Sequence, residues 1–141
     1  MKVLVAIDGS DTSLNALRYV IGHTGMFGGT PEVVLIHVHL PLPSGRAKAV
    51  LGHGVIDEYY REESEAILAP ARALLAGTPC KVVEMHVVGQ PAHEILAAVK
   101  QHNCELIVMG THGHSMFRKL FMGSVAMQVI AEAPVPVLAT K

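Results

Sequence analysis

Residues 105–125 read ELIVMGTHGHSMFRKLFMGSV: an apolar run, Glu105-Leu106-Ile107-Val108-Met109, followed by Gly110, Gly113 and Gly123-Ser124 in the spacing G-x-x-G-x9-G-S. A short apolar run that breaks into glycine reads as a strand ending in a loop. Glycines at this spacing read further as a cradle for an anion. Phosphates need several backbone N–H groups at close range, which calls for residues without a Cβ and a helix N-terminus behind them. Gly110 and Gly113 meet the first need, and Gly123-Ser124 meets the second by opening the last helix, with the Ser124 hydroxyl as N-cap and phosphate donor. A long structural loop is the plain alternative, since glycine supplies 13 of 141 residues and usually marks turns. The P-loop pattern G-x4-G-K-[ST] is absent, so ordinary P-loop NTPase chemistry is not indicated.

Outward from this stretch, short β-rich apolar runs alternate with longer amphipathic segments, an α/β pattern without a dividing linker. The first strand, 2–7, ends in Asp8-Gly9-Ser10-Asp11. A helix follows, capped by Ser10 or Asp11, with Leu14, Leu17 and Ile21 along one stripe. The second strand spans 33–38, and a polar, proline-broken connection from Pro41 to about Gly54 reads as the mobile loop of the fold. Ile56, Tyr60, Ile67, Ala71 and Leu74 support a second helix over 56–76, which Pro70 should kink or split. A third strand, 80–88, turns at Gly89-Gln90 into a helix with Pro91 near its first position. The fourth strand is 105–109, the last helix 123–133 and the fifth strand 135–139.

Composition narrows the functional classes. At 141 residues, half of them hydrophobic, the chain fits one domain with a real core, 1–141. A net charge of −1 with only 11 Lys plus Arg argues against general nucleic-acid binding, which needs clustered positive charge. No apolar run approaches the roughly 18 residues of a membrane span, and Asp8 interrupts the N-terminal run too early for a signal peptide. The expectation is a soluble cytoplasmic protein that does not engage membranes. Cys80 and Cys104 lack CxxC spacing and read as buried small hydrophobes in a reducing compartment.

Five strands joined by crossovers of this length should be parallel, with right-handed connections and helices on both faces. In the doubly wound order 3-2-1-4-5, strands one and four meet at the switch point where ligands bind. Asp8 follows strand one and Gly110 follows strand four, so a carboxylate and a glycine cradle about a hundred residues apart converge on one crevice.

The opening VLVAIDGS, the second-strand end LIHV, the turn VVGQPA, the run LIVMGTHG, the cradle and the terminal PVPVLATK together resemble the universal stress protein family over nearly the full chain. The resemblance implies an ATP-binding stress-response protein, since the cradle marks the nucleotide-binding branch. It implies that Asp8 contacts ribose near the metal-triphosphate and that Val38 offers backbone groups to adenine. Gly110, Gly113, Gly123, Ser124 and Val125 then bind ribose and phosphates, with Mg2+ accompanying ATP. It also implies a homodimer formed through the terminal strand, where Pro136 marks an open edge or its start.

Several other residues carry competing readings. His37 and His39 share a strand face and His112 and His114 bracket Gly113, a conceivable transition-metal set, yet no HExxH or CxxC companion is present. Histidines beside a nucleotide more often stack or hydrogen-bond. Arg118-Lys119 could meet terminal phosphates or form a solvated face. For Asp8 the plain alternative is N-capping or turn formation. Only part of a phosphoryl-transfer apparatus is visible, so no catalytic residue and no protein metal site are assigned. An ATP-loaded switch or sensor is favoured, against a slow Mg-dependent ATPase and a nucleotide-independent dimeric interaction protein.

Overall fold

The computed structural model describes residues 1–42, 52–113 and 122–141. The fold follows the expected alternation: β1 (Lys2–Ala6), α1 (Asp11–Gly22), β2 (Glu32–His39), α2 (His53–Leu75), β3 (Lys81–Val88), α3 (Pro91–His102), β4 (Leu106–Gly110), α4 (Ser124–Glu132) and β5 (Val137–Thr140). All four strand pairs are parallel, in the order β3-β2-β1-β4-β5. β1 lies at the centre, pairing Val5 with Leu35 of β2 and with Val108 of β4. The central strands are hydrophobic without alternation because both of their faces are covered.

Strand alternation divides the core in two. Val3, Val5 and Ile7, with Val33 and Leu35, pack against Leu17 and Val20 of α1 and Leu68, Ala71 and Leu75 of α2. Leu4, Val34, Ile36, Ile107 and Met109 point the other way, against Ile95 and Val99 of α3 and Val129 of α4. The helices are thus paired, α1 with α2 on one face and α3 with α4 on the other, and the strand C-termini are left as an open rim.

Local chemistry explains most boundaries. Ser10 is the N-cap of α1, accepting from Ser13 N at 3.3 Å, which resolves the choice between Ser10 and Asp11. Pro91 occupies the first turn of α3, and Asn103 closes that helix in the left-handed region. Three expectations need correction. Pro70 does not split α2, which runs unbroken through it. Pro70 and Ala66 both lie on the solvent side, so the Ala66 carbonyl that loses its helical donor is open to water. The N-cap of α4 is Gly123, with Ser124 already helical and no side-chain cap. Cys104 is buried, with its thiol pushed up by desolvation, but Cys80 is only half-buried. A 3-10 turn, Thr24–Phe27, was not foreseen; it places Phe27 in the core and is closed by Gly28 in the left-handed region. Much of the connection expected to be mobile, residues 43–51, lies outside the described residues.

Candidate nucleotide site at the strand C-termini

A cavity of about 470 Å³ opens where β1 and β4 end side by side, within the size range of small-molecule sites. Asp8, Val38, Gly110, Gly113, Gly123, Ser124 and Val125 all line it. β1 delivers Asp8, β2 delivers Val38, and β4 delivers Gly110 and the start of the loop. The N-terminus of α4 closes the far side.

Asp8 is held by the turn that follows it. Its Oδ1 accepts from Ser10 N at 2.9 Å and from the Ser10 hydroxyl, with Gly9 between them at φ 85°. The turn-forming role is therefore real. Oδ2 lies beside Gly113, where an added Cβ would stand 2.7 Å from it. Gly113 is a glycine against the carboxylate, and the pair joins the two ends of the chain across the crevice.

Gly110 has a different reason for lacking a side chain. A Cβ there would meet Thr12 Oγ1 at 2.6 Å, Thr12 C at 2.8 Å and Ser13 N at 2.9 Å. Its bareness is required by the first turn of α1 packing on the end of β4. Thr12, which sequence reading passed over, secures the same junction by donating its hydroxyl to the His112 carbonyl. A threonine among Ser10, Asp11 and Ser13 carries no signal beyond ordinary helix initiation.

The two helices that face the rim end differently. In the first turn of α1 the Ser10 side chain caps Ser13 N. That of α4 has no side-chain cap, and its first main-chain bond to the N-cap is Met127 N to Gly123 O at 3.0 Å. The N–H groups of Ser124, Val125 and Ala126 therefore have no intrahelical acceptor, and all three residues line the cavity. Gly123 N donates to Thr111 O at 2.7 Å, fixing this opening to the end of β4. N–H groups without intrahelical acceptors at a helix N-terminus favour an anion.

Polar side chains from β2 and α2 form another wall. His37 is buried, with Nδ1 2.8 Å from the Ile7 carbonyl, which makes that nitrogen the donor. Desolvation pushes the ring below the usual imidazole range, so it is neutral at pH 7. His39 Nε2 lies 2.9 Å from Glu63 Oε2, and the ring meets Tyr60 edge-on with centroids 4.8 Å apart. A hydrogen bond from Tyr59, then the one from His39, holds the Glu63 carboxyl below its usual range. Glu63 was missed because a helix residue two dozen positions from its partner has no motif to betray it. Among the described residues no three His, Cys, Asp or Glu side chains converge as metal ligands. His112 Nδ1 lies 2.6 Å from Thr111 Oγ1, while His114, Arg118 and Lys119 fall outside the described residues.

The family model for the universal stress protein family matches residues 1–141. The chain belongs to the universal stress protein family. Among its curated relatives is a universal stress protein of Thermus aquaticus, 34% identical, with 96% of this chain and 95% of the relative covered. The solved structure of MJ0577, a universal stress protein of Methanocaldococcus jannaschii, is 28% identical with a TM-score of 0.74, covering 99% of this chain and 94% of that one. The universal stress protein of Archaeoglobus fulgidus in complex with dAMP is 25% identical with a TM-score of 0.68, covering 100% and 98%. No described helix of this universal stress protein is long and apolar enough to cross a membrane.

Proposed function

We propose that this universal stress protein binds ATP with Mg2+ in the crevice between β1 and β4 and acts as a nucleotide-dependent switch or sensor in the stress response. One observation carries the reading: the uncapped N-terminus of α4 opens onto the same cavity as Asp8, Val38 and Gly113. In this reading the phosphates lie on the main chain of Gly113, Gly123, Ser124 and Val125. Gly110 forms the adjoining wall, Asp8 accepts a ribose hydroxyl, and Val38 presents its main chain to adenine. Mg2+ usually keeps several waters and takes one or two carboxylates plus phosphate oxygens. Asp8, with Oδ2 turned toward Gly113, fits that requirement. The relative solved with dAMP supports an adenine nucleotide as ligand. Denaturing the purified protein and identifying what it releases tests the proposal. An adenine nucleotide approaching one per chain is expected. A nucleotide-free sample that also takes up no MgATP in titration overturns it, and phosphate release at saturating ATP separates binding from slow hydrolysis.

Asp8→Ala removes the ribose acceptor and is expected to weaken MgATP binding about tenfold. It should also narrow the difference between ATP and dATP if the contact is to the 2′-hydroxyl. Equal losses for both nucleotides point to metal placement instead. An unchanged affinity for both returns Asp8 to its turn.

The proposal includes a second copy of the chain paired along β5, an edge strand by its place in the sheet. The Pro136 and Thr140 carbonyls accept from Ile107 of β4 and from Thr111 just after it, so alternation turns the main-chain groups of Val137 and Ala139 outward. Val137 and Leu138 pack into the two cores, so a lysine at either would disrupt the fold as well as an edge. Ala139 is exposed. Ala139→Pro removes an outward donor and is expected to lower the sedimenting mass of the native particle at micromolar concentration. An unchanged mass rules out pairing along β5.

A further inference from the structure

β3, at the opposite edge of the sheet, is a second open strand with a stronger self-complementary signal. It pairs with β2 through eight consecutive residues, Lys81 to Val88, without a bulge. No described strand pairs with its other side, and Val82, Val83 and Val88 are 40%, 45% and 41% exposed. Of the devices that protect an edge, β3 has no proline and no bulge; its charges are Lys81 at one end and Glu84, which is neutralised by Arg72 of α2. From Val82 to Val88 the strand reads VVEMHVV. That sequence is a palindrome about Met85, except that a carboxylate stands where its mirror position holds an imidazole.

We infer that β3 is a docking edge for a second copy of this chain, paired antiparallel about a two-fold axis through Met85. This register sets Val82 against Val88, Val83 against Val87, Glu84 against His86, and Met85 against its own copy. Apolar residues meet apolar residues on both faces, and the ionisable pair, a carboxylate and an imidazole able to donate to it, meets twice. Such cross-strand pairs are the unit of sheet stabilisation. Main-chain stereochemistry selects the same register. Gly89 N donates to His39 O at 2.8 Å, so alternation along the parallel ladder turns the N–H and C=O of Val82, Glu84, His86 and Val88 away from β2. Pairing about Met85 brings these outward residues opposite one another, as antiparallel hydrogen-bonded pairs require. A slip that puts Glu84 opposite its own copy keeps the hydrogen bonds but opposes like charges.

The layers above the sheet permit this approach. α2 rests over β2 through Leu68, Ala71 and Leu75. Three strand spacings of about 4.8 Å separate the β2 strands of two copies by about 14 Å, enough for two helices of roughly 10–12 Å diameter side by side. Glu84 is already oriented by Arg72 of α2, whose Nε lies 2.7 Å from its Oε2, so the carboxylate is fixed on the edge before a partner arrives.

With isologous edges at opposite sides of one sheet, β3 and β5, each copy holds two others, so assembly goes beyond a dimer and its extent depends on concentration. The test is sedimentation velocity of the full chain across a concentration series, with variants at each edge. His86→Pro removes an outward N–H while sparing the ladder to β2, as edge prolines do. His86→Glu leaves the backbone alone and sets carboxylate against carboxylate. Both are expected to lower the limiting mass by at least half. Ala139→Pro alone should leave a dimer, and Ala139→Pro with His86→Pro a monomer. If β5 does not pair, Ala139→Pro changes nothing while His86→Pro alone yields monomer, which still supports the β3 edge. The inference is overturned if both His86 variants keep the wild-type mass distribution, or if Ala139→Pro alone is monomeric throughout. Met85→Cys checks the register: residues facing across a non-hydrogen-bonded antiparallel pair have Cα atoms about 4.5 Å apart, within disulfide range. A reducible dimer above the background from Cys80 and Cys104 supports the axis through residue 85, and its absence under oxidation overturns that axis.

Discussion

Gly113→Val is expected to weaken MgATP binding a hundredfold or more while leaving the thermal midpoint of the nucleotide-free protein nearly unchanged. A Cβ at this position stands 2.7 Å from Asp8 Oδ2, inside contact distance, and the remaining methyl groups extend into the crevice. The atom that must yield is the end of a side chain, so the fold accommodates it and the site loses its carboxylate. Two phosphate hydrogen bonds at about 1.5–3 kcal/mol each account for the expected loss. Because Asp8 moves with the substitution, Gly113→Val and Asp8→Ala should be strongly non-additive. Calorimetric titration of the wild type, both single variants and the double variant checks this. An unchanged affinity in Gly113→Val removes the loop from the site.

Gly110→Ala is expected to destabilise the fold itself. Here the added carbon meets main-chain atoms, Thr12 C at 2.8 Å and Ser13 N at 2.9 Å, and a backbone cannot rotate out of the way. The first turn of α1 has to lift from the end of β4, carrying Ser10 and Thr12 with it. Overpacking of this kind costs about 1–3 kcal/mol, which lowers Tm by roughly 3–10 °C for a domain of this size. Thermal and urea unfolding measure the effect. A variant as stable as wild type shows that the α1–β4 junction is looser than its geometry indicates. The two glycines of one motif are thus separated by what each touches, main chain in one case and a carboxylate in the other.

That distinction was not legible in the sequence, where Gly110 and Gly113 read as equivalent members of a cradle. Strand positions and order were legible because apolar runs near the period of a strand, split by helical stretches, leave few ways to build a parallel sheet. The convergence of Asp8 with the glycine loop followed from that order alone. Pro70 does not split its helix, and a proline in isolation says nothing about which side of the helix its orphaned carbonyl faces. Ser124 misled by a single position, which moved the cap from a hydroxyl to a glycine that has no side chain to cap with. His39 and Glu63 meet only through the packing of α2 on β2, a tertiary event with no local trace.

The central pairing of β1 with β4 joins Val3 to Leu106, so the middle of the sheet is closed by contacts about a hundred residues apart along the chain. Loop closure of that span is paid before the contacts reward it, and such topologies are slow to assemble. Asp8 leaves the ribosome long before Gly113 exists, and neither half of the crevice has any meaning without the other. A nucleotide held there is a ligand of the finished sheet alone. Its binding energy is added to the native state by mass action and to no partly folded one, so occupancy of the crevice reports that the chain has completed its fold.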